Sequence, residues 1–280
     1  MNMCSRFSRI LLCALALAGA VAADAAPWKL LFVFGDSYSD SGAGYIDGDG
    51  PTAVVYAARE LQIPFTQAND PARAAKGLNF AVSGAQTGLG SGRRFKDVLL
   101  GYGMRNQVQD FVALVRKGEV KFDPATTLFF IAGGLNDGRL PTGTTIANLT
   151  EEISELYGVG ARVFCVALLP VKIPAFSGVA RRLNPALAEL PAGIHLAGAS
   201  VYLSHWGEFF DEVMDHAASY GITNTKDACA ERGFKGEDAT PKGDPKTYYY
   251  YHSAHPSTTV HRIVGQKLAG EIGGFGSAAP

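Results

Sequence analysis

The stretch Leu30–Gly42, which reads LLFVFGDSYSDSG, joins a continuous apolar run to a turn of glycine, serine and aspartate. Continuous rather than alternating hydrophobicity is typical of a strand that is covered on both faces, as in a parallel sheet. The first such run is Leu30–Phe34, and three more follow: Leu78–Val82, Leu128–Ala132 and Arg162–Leu168. The sequence therefore predicts a buried, mainly parallel sheet.

Helix-like segments alternate with these strands. Apolar residues at helical spacing predict five helices: Thr52–Leu61, Asn106–Val115, Ile146–Tyr157, His195–Tyr220 and Thr258–Ala269. This alternation predicts an α/β domain of three layers, α/β/α, with helices on both faces of the sheet. The segment Lys226–Lys246 is rich in charged residues, glycine and proline, and we expect it to be a long surface loop.

Polar or glycine-bearing turns stand at the ends of the predicted strands. Gly35–Gly42 follows the first strand, Ser83–Ala85 the second and Gly133–Asp137 the third, while His255–Ser257 precedes the last predicted helix. Ligands of parallel α/β sheets bind at the carboxyl ends of the strands. We therefore expect these four segments to converge on one edge of the sheet and to form a site there.

These segments resemble the sequence blocks of the GDSL-type esterases and lipases, also called SGNH hydrolases. The first block is FGDSYSDSG, with Tyr38 where the name-giving motif has leucine; the others are NFAVSGA, GLND and HPST, which begin at Asn79, Gly134 and His255. A lone Gly-Asp-Ser is a weak signal, but four blocks in the family's order are specific. The resemblance covers residues 30–269 and implies the flavodoxin-like α/β/α fold of that family.

The resemblance also implies a role for each site residue. Ser37 would be the nucleophile, and His255 the general base that takes the proton of its hydroxyl. The backbone N–H groups of Ser37 and Gly84 and the side-chain amide of Asn136 would form the oxyanion hole. Taken singly, Ser37 would be interpreted as a helix N-cap, and Gly84 and Asn136 as turn and loop residues. No metal or other cofactor is implied, and three neighbouring aspartates are expected to brace the turns: Asp36, Asp40 and Asp137.

The sequence departs from the family at the residue that orients the base. The family places an aspartate three residues before the catalytic histidine, and here that position is His252. Losing a triad acid can lower turnover by as much as ~10⁴-fold. Four alternatives remain open: a backbone carbonyl orients His255; a carboxylate of the variable loop, Asp238 or Asp244, does so; His252 does so as a neutral partner; or the protein is a weak hydrolase that retains a binding pocket.

Two further interpretations concern the same region. His252, His255 and His261 would be the ligands of a metal site, but no His-Glu-x-x-His pattern and no cysteine accompanies them, so no metal is predicted. Tyr248–Tyr251 is predicted to be a strand, because tyrosine suits strands, with one or two of its side chains facing the site.

Composition limits the possible functions. The chain has 280 residues, of which 47% are hydrophobic, which suffices for one core and predicts a single domain over residues 26–280. The net charge of −1 provides no field that attracts nucleic acid, and the basic run Arg93–Lys96 is predicted to be a solvated loop. Cys165 is predicted to be a buried free thiol, with a disulfide to Cys229 as the alternative.

The N-terminus has the pattern of an export signal. Arg6 and Arg9 precede an apolar run, Ile10–Val21, and small residues that suit a signal peptidase follow it. Residues 1–25 are therefore predicted to be a signal peptide, and the protein to be secreted or periplasmic. The apolar run is shorter than the ~20 residues of a membrane-spanning helix, and no transmembrane segment is predicted.

We therefore predict an enzyme that hydrolyses carboxylic esters through an acyl intermediate on Ser37. The stretch Tyr220–Asn224, followed by Cys229, resembles the secreted lipase, phospholipase and haemolysin branch of the family. That branch favours small-molecule or lipid esters as substrates, with transient contact to a membrane surface. Two alternatives remain: acyl transfer to an alcohol by the same acyl-enzyme, and a catalytically weak binding protein that retains the fold. The sequence makes no prediction of the oligomeric state.

Overall fold

The computed structural model describes residues 28–42, 48–95, 98–231 and 240–275. Within these ranges the strands and helices are β1 (Leu30–Gly35), α1 (Ala53–Glu60), β2 (Phe65–Gln67), β3 (Gly77–Asn79), β4 (Ser91–Phe95), β5 (Val98–Tyr102), α2 (Met104–Arg116), β6 (Thr127–Ala132), α3 (Thr142–Gly158), β7 (Val163–Ala167), α4 (Ser177–Gly193), β8 (Ser200–Ser204), α5 (Trp206–Asp215), β9 (Asn224–Ala230), β10 (Tyr248–His252), β11 (His255–Pro256) and α6 (Thr258–Gly274). Short 3₁₀ helices cover Ala217–Tyr220 and Pro245–Thr247.

The central sheet contains six parallel strands in the order β2-β3-β1-β6-β7-β8. β1, β6 and β7 lie where the apolar runs predict them, and their side chains are almost all buried. Phe32 of β1 packs on Phe111 of α2 and on Phe129 of β6, with ring centroids 4.8 and 5.3 Å away. Aromatic burial on this scale is a large part of what holds the sheet to its helices.

The helices form two groups. α1 and α5 both pack on α6, whereas α2 packs on α3 and α3 on α4. The predicted three-layer α/β/α fold with a mainly parallel sheet is confirmed. Helices α1, α2, α3 and α6 start within four residues of their predicted starts and end within five residues of their predicted ends.

The predicted strand Leu78–Val82 is shorter than expected. β3 ends at Asn79, whose side-chain Oδ1 accepts a hydrogen bond from the N–H of Ala81 at 3.0 Å. This local bond replaces the regular ladder, since a side chain that binds nearby backbone competes with strand pairing. The N–H of Phe80 still donates to Val33 at 2.8 Å, so the chain continues beside β1.

The predicted helix His195–Tyr220 is wrong, because the segment contains strand β8 and helix α5 instead. The residues of β8 read SVYLS, and β-branched and aromatic side chains favour a strand at the edge of the sheet, where Leu203 pairs with Val166. Helix α4 is absent from the predicted elements because Pro185 and Pro191 lie inside it. Proline removes a backbone donor and is expected to interrupt a helix.

A hairpin and a small sheet lie outside the central sheet. β4 and β5 form an antiparallel hairpin, so the loop predicted for the basic run is wrong at Arg93–Phe95, which is a strand; its residues are solvent-exposed, as expected. Lys96 lies outside the described residues. Backbone N–H of Gly101 donates to Ser83 at 2.7 Å and docks this hairpin on the loop after β3.

The small sheet has the order β11-β10-β9. Its middle strand β10 confirms the strand predicted at Tyr248–Tyr251, while β9 occupies the start of the loop predicted at Lys226–Lys246. Residues 232–239 of that segment lie outside the described residues. Cys229 of β9 and Cys165 of β7 are both buried and both free.

The predicted signal peptide, residues 1–25, also lies outside the described residues. Of the helices in the described ranges, none is both long enough and apolar enough to cross a membrane.

Candidate active site

The strand order determines where the site forms. From β1 the chain adds β2 and β3 on one side and β6, β7 and β8 on the other, so the winding reverses between β1 and β6. Loops diverge at such a switch point and leave a crevice at the carboxyl ends of the strands. Ser37 follows β1, Asn136 follows β6 and Gly84 follows β3, so all three reach the same crevice.

Ser37 and His255 are brought together from two different sheets. Oγ of Ser37 lies 2.9 Å from Nε2 of His255, although the two residues are 218 positions apart in the chain. His255 begins β11 directly after a two-residue turn, and it pairs with His252 across that turn. A hydroxyl at hydrogen-bond distance from an imidazole is the arrangement in which a base activates a nucleophile.

Buried hydrogen bonds fix the turn that carries Ser37. Oε1 of Gln107 accepts from the N–H of Gly35 at 3.0 Å, and Nε2 of the same side chain donates to its carbonyl at 2.9 Å. Asp36 accepts from the N–H of Tyr38 at 3.1 Å. The bracing role expected of Asp36 is confirmed, whereas a lone glutamine on a helix gives no sequence signal for the role of Gln107.

Asp40 connects this turn to the loop after β3. Its Oδ2 accepts from the N–H of Ser83 at 2.8 Å and from the Ser83 hydroxyl at 3.1 Å. Gly84 follows with φ of +77°, a left-handed conformation that glycine adopts without strain. The N–H groups of Ser37 and Gly84 donate to no other described residue, so both are available to a substrate oxygen.

Asn136 adds a side-chain donor. Its amide donates to the carbonyl of Ala85 at 3.0 Å, and because the nitrogen carries two hydrogens, one remains for a ligand. The next residue, Asp137, is fully buried and accepts from Thr87 Oγ1 at 2.6 Å and from Thr145 Oγ1 at 2.8 Å. These bonds tie the loop after β6 to the loop after β3, as expected of a bracing aspartate.

One cavity of about 350 Å³ collects these groups. Its lining residues are Ser37, Ser83, Gly84, Arg93, Leu100, Gly101, Asn136, Phe176, His252 and His255. The structure thus brings together Ser37, His255, Gly84 and Asn136, as the sequence predicts. None of Tyr248–Tyr251 lines this cavity, so the expectation that one or two of them face it is wrong; three of the four are buried in the fold instead.

Four lining residues were not predicted from the sequence: Arg93, Leu100, Gly101 and Phe176. Arg93 and Leu100 are cross-strand partners in the β4–β5 hairpin, so their side chains leave on the same face, and Phe176 precedes α4. Among the lining residues within the described ranges, only Arg93 has a side chain that is permanently charged. It forms no ion pair with another described residue.

Burial keeps His255 uncharged. The residue is only partly buried as a whole, but its Nδ1 is inaccessible to solvent. Burial, and after it the neighbouring His252, lower the pKa of His255 from 6.5 to about 3. A hydrogen bond with the backbone of His252 raises the pKa of His255, but by less than burial lowers it. At neutral pH the ring is therefore an unprotonated base.

The proposed partners of His255 lie in different places. Asp244 is not at the cavity, because its Oδ1 accepts from the N–H of Lys246 at 3.1 Å at the start of a 3₁₀ helix. Asp238 lies outside the described residues. The ring of His252 lies parallel to that of His255, at 7° and 6.3 Å between centroids. The described contacts between His255 and His252 are this ring contact and a hydrogen bond to the His252 backbone.

His261 lies behind the site. Its Nδ1 accepts from the N–H of Ala53 at 3.2 Å, and its ring packs edge-on against Phe210 at 5.4 Å. Burial lowers the pKa of His261 to about 3. These contacts give it a packing role in α6. In the described part of the chain, no three histidine, cysteine or acidic side chains are arranged to hold a metal ion.

Residues 31–268 match the sequence profile of the GDSL-like lipase/acylhydrolase family. Similar solved structures include the psychrotrophic esterase EstA from a Pseudoalteromonas species, at 11% identity, 87% coverage of this chain and 96% of that one, and a TM-score of 0.47. A carbohydrate esterase family 3 protein from Talaromyces cellulolyticus has 10% identity, coverages of 90% and 100%, and a TM-score of 0.49. A lipolytic G-D-S-L family member from Veillonella parvula has 16% identity, coverages of 85% and 94%, and a TM-score of 0.45. Likenesses this distant carry no further argument, and a search of the curated proteins gave no match.

Proposed function

Because the chain belongs to the GDSL-like lipase/acylhydrolase family and is an ester-hydrolysing enzyme, we propose that it cleaves carboxylic esters through an acyl intermediate on Ser37. The observation that carries this proposal is the 2.9 Å contact between Ser37 Oγ and His255 Nε2 at the cavity. Ser37, Gly84 and Asn136 line the same cavity, and the donors for an oxyanion would be the N–H groups of Ser37 and Gly84 and the amide of Asn136.

The proposed reaction has two halves. His255 Nε2 takes the proton of the Ser37 hydroxyl while Oγ attacks the ester carbonyl carbon, and the carbonyl oxygen becomes an oxyanion held by the three donors. The bond to the alcohol then breaks, and the imidazolium returns its proton to the leaving oxygen. In the second half the same nitrogen deprotonates a water molecule, which hydrolyses the acyl-serine and restores the enzyme.

The direct test combines turnover with covalent labelling. Purified protein is incubated with p-nitrophenyl acetate, and separately with a fluorophosphonate probe. We expect steady release of p-nitrophenolate and a phosphonyl group on the peptide that contains Ser37, identified by mass spectrometry. A protein that neither turns over the ester nor reacts with the probe would not be a serine hydrolase.

The cavity supports acyl or lipid esters that carry a negative group near the scissile bond. Leu100 and Phe176 provide apolar contact, and Arg93 provides a cation in a lining whose described residues include no carboxylate. Leu89 and Phe95 at the same hairpin are 62% and 44% exposed. Exposed apolar side chains beside a cationic one suit transient contact with a lipid surface. We further propose that the enzyme is exported, on the basis of its N-terminal pattern.

We expect Arg93→Gln to raise KM about fivefold for an anionic ester such as p-nitrophenyl succinate, since an exposed, screened charge contact is worth about 1 kcal/mol. KM for the neutral p-nitrophenyl butyrate should change less than twofold. Both constants are measured at low salt and at 0.5 M NaCl, where screening should reduce the difference.

Arg94→Gln is the matched control for this prediction. Arg94 is the next residue of β4 and does not line the cavity, because successive side chains of a strand point to opposite faces. We expect it to leave both KM values unchanged. Equal effects of the two variants would show that general surface charge, and not Arg93 itself, recognises the anion.

The pH dependence of kcat/KM should lack the usual acid limb of a histidine base. A base with an ordinary pKa of 6.5 is only about 3% unprotonated at pH 5. Burial depresses the pKa of His255 to about 3, so its neutral form persists to lower pH. We therefore expect kcat/KM for a neutral ester to fall by less than threefold between pH 8 and pH 5.

Asp36 is the control for that profile. Burial raises its pKa to about 7, so it takes up a proton within the same range and lies next to the nucleophile. The pH profile of kcat/KM is repeated with Asp36→Asn. A change in kcat/KM near pH 7 that disappears in this variant is due to the titration of Asp36. A thirtyfold loss by pH 5 that persists in Asp36→Asn would mean that His255 titrates normally.

A further inference from the structure

Tyr38 occupies the position of the leucine in the family's motif, and its hydroxyl group reaches the segment that carries the base. The side chain is completely buried, and the hydroxyl donates to the carbonyl of Ala254 at 2.6 Å. That carbonyl belongs to the peptide unit whose N–H is the N–H of His255. The bond therefore acts on the backbone directly before His255. A leucine has no group that could make it.

The segment that Tyr38 holds is a strained turn. Ser253 and Ala254 form the two-residue connection between β10 and β11, and Ser253 has φ of +48°. Two-residue hairpins need positive φ, but a residue other than glycine adopts it at a cost. Such a conformation persists only where surrounding contacts impose it. The hydroxyl of Tyr38 is one contact of this kind.

The ring of Tyr38 is itself held in place. Its centroid lies 5.3 Å from that of Phe210 and 5.9 Å from that of Trp206, both on α5, in edge-to-face contact. A further neighbour of the Tyr38 ring is the ring of His255, at 5.8 Å between centroids. A phenol packed on several sides places its hydroxyl at a fixed point, because the side chain has few other rotamers open to it.

We propose that Tyr38 is a positioning residue for His255. Through the Ala254 carbonyl, Tyr38 supplies part of the orientation that the family obtains from an aspartate at position 252. The two departures from the family's pattern, at positions 38 and 252, then act on one turn. Tyr38 exchanges no proton with the substrate; it keeps Nε2 of His255 at 2.9 Å from Oγ of Ser37. This inference rests on the proposed function of Ser37 and His255.

The variant Tyr38→Phe keeps the ring and removes the hydroxyl. We expect kcat for p-nitrophenyl acetate to fall about 10- to 100-fold, because a misplaced reacting group loses rate on this scale, with KM changed less than twofold. We calculate kcat from the concentration of enzyme whose Ser37 reacts with a fluorophosphonate. A sample that folds incompletely then still reports on the folded molecules.

Tyr249→Phe is the matched control. Tyr249 is equally buried, and its hydroxyl also donates to a backbone carbonyl, that of Phe210, at 2.9 Å. The two variants lose the same kind of bond and should lose similar thermal stability. Only Tyr38→Phe should lose kcat. If kcat falls by the same factor in both variants, or falls in neither, Tyr38 has no positioning role.

A second test combines substitutions at the two positions where the sequence departs from the family's pattern, 38 and 252. His252→Asp restores the family's carboxylate, and in that background we expect Tyr38→Phe to lower kcat less than threefold, since the base is then oriented independently. An undiminished loss in the His252→Asp background overturns the proposal. Absence of turnover and of Ser37 labelling in the wild type would instead contradict the proposed function, so the two failures are distinguishable.

Discussion

Replacing Ser37 with alanine is expected to lower kcat by at least about 10⁴-fold, because the reaction then has no nucleophile that can form the acyl intermediate. His255→Ala should cause a loss of the same order, since the serine hydroxyl is a poor nucleophile without its base. The double variant should be no worse than either single one, because the two residues act as a unit. Initial rates with p-nitrophenyl acetate, together with fluorophosphonate labelling, measure all three effects.

Ser41→Ala is the control within the same motif. Ser41 lies four residues after the nucleophile, and its Oγ contacts the hydroxyl of Thr52 and not the cavity. We expect its kcat to stay within threefold of the wild type. A Ser37→Ala enzyme that retained a tenth of the activity would assign the nucleophile to another residue.

The central strands and the core of the site were predictable because their signals are local. The apolar run before Gly35 and the turn after it occupy one continuous stretch, and β1 with its loop has the predicted form. The blocks with Gly84 and Asn136 follow other strands of the central sheet, so the rule that parallel strands present their carboxyl ends at one edge was enough to bring both residues to Ser37.

Features that depend on contacts distant in sequence could not be predicted. Arg93 belongs to the basic run that the sequence predicts to be a solvated loop. Its side chain faces the cavity because Arg93 pairs with Leu100 in the hairpin. Strand β8 pairs with β7, and that pairing overrides the helix-like spacing of His195–Tyr220. The hydroxyl of Tyr38 meets Ala254 across 216 positions. No pattern in one sequence reveals such pairs.

The environment of His255 has opposite effects on the two charge states that the proposed base must adopt. Burial favours the neutral ring, which lets it accept the Ser37 proton, but the same burial disfavours the imidazolium that must form in the transition state. A base with a pKa far below the operating pH has little driving force for proton transfer. In the proposed reaction, transition-state stabilisation should therefore depend more on the oxyanion hole than it does in an enzyme with a full triad.

Asn136→Ala should accordingly cause the second largest loss, about 10²- to 10³-fold in kcat, which is the usual effect of removing one oxyanion donor. KM should change less than threefold, because the negative charge that the amide stabilises develops only in the transition state. The backbone carbonyl of Asn136 still accepts from Gln86 Nε2, at 3.0 Å, in the alanine variant, so the loop keeps its anchor. Steady-state kinetics with a neutral ester measure both constants.

Asn184→Ala separates loss of a donor from loss of stability. Asn184 of α4 accepts from the N–H of Leu169 and donates to its carbonyl, both at 2.9 Å, and it does not line the cavity. Removing it leaves two backbone groups without their partner and should cost about 1–3 kcal/mol of stability, with kcat unchanged. If Asn136→Ala instead loses less than tenfold in kcat, or if its loss lies mainly in KM, the amide binds the substrate without stabilising the oxyanion. The rate would then depend on the backbone donors of Ser37 and Gly84 alone.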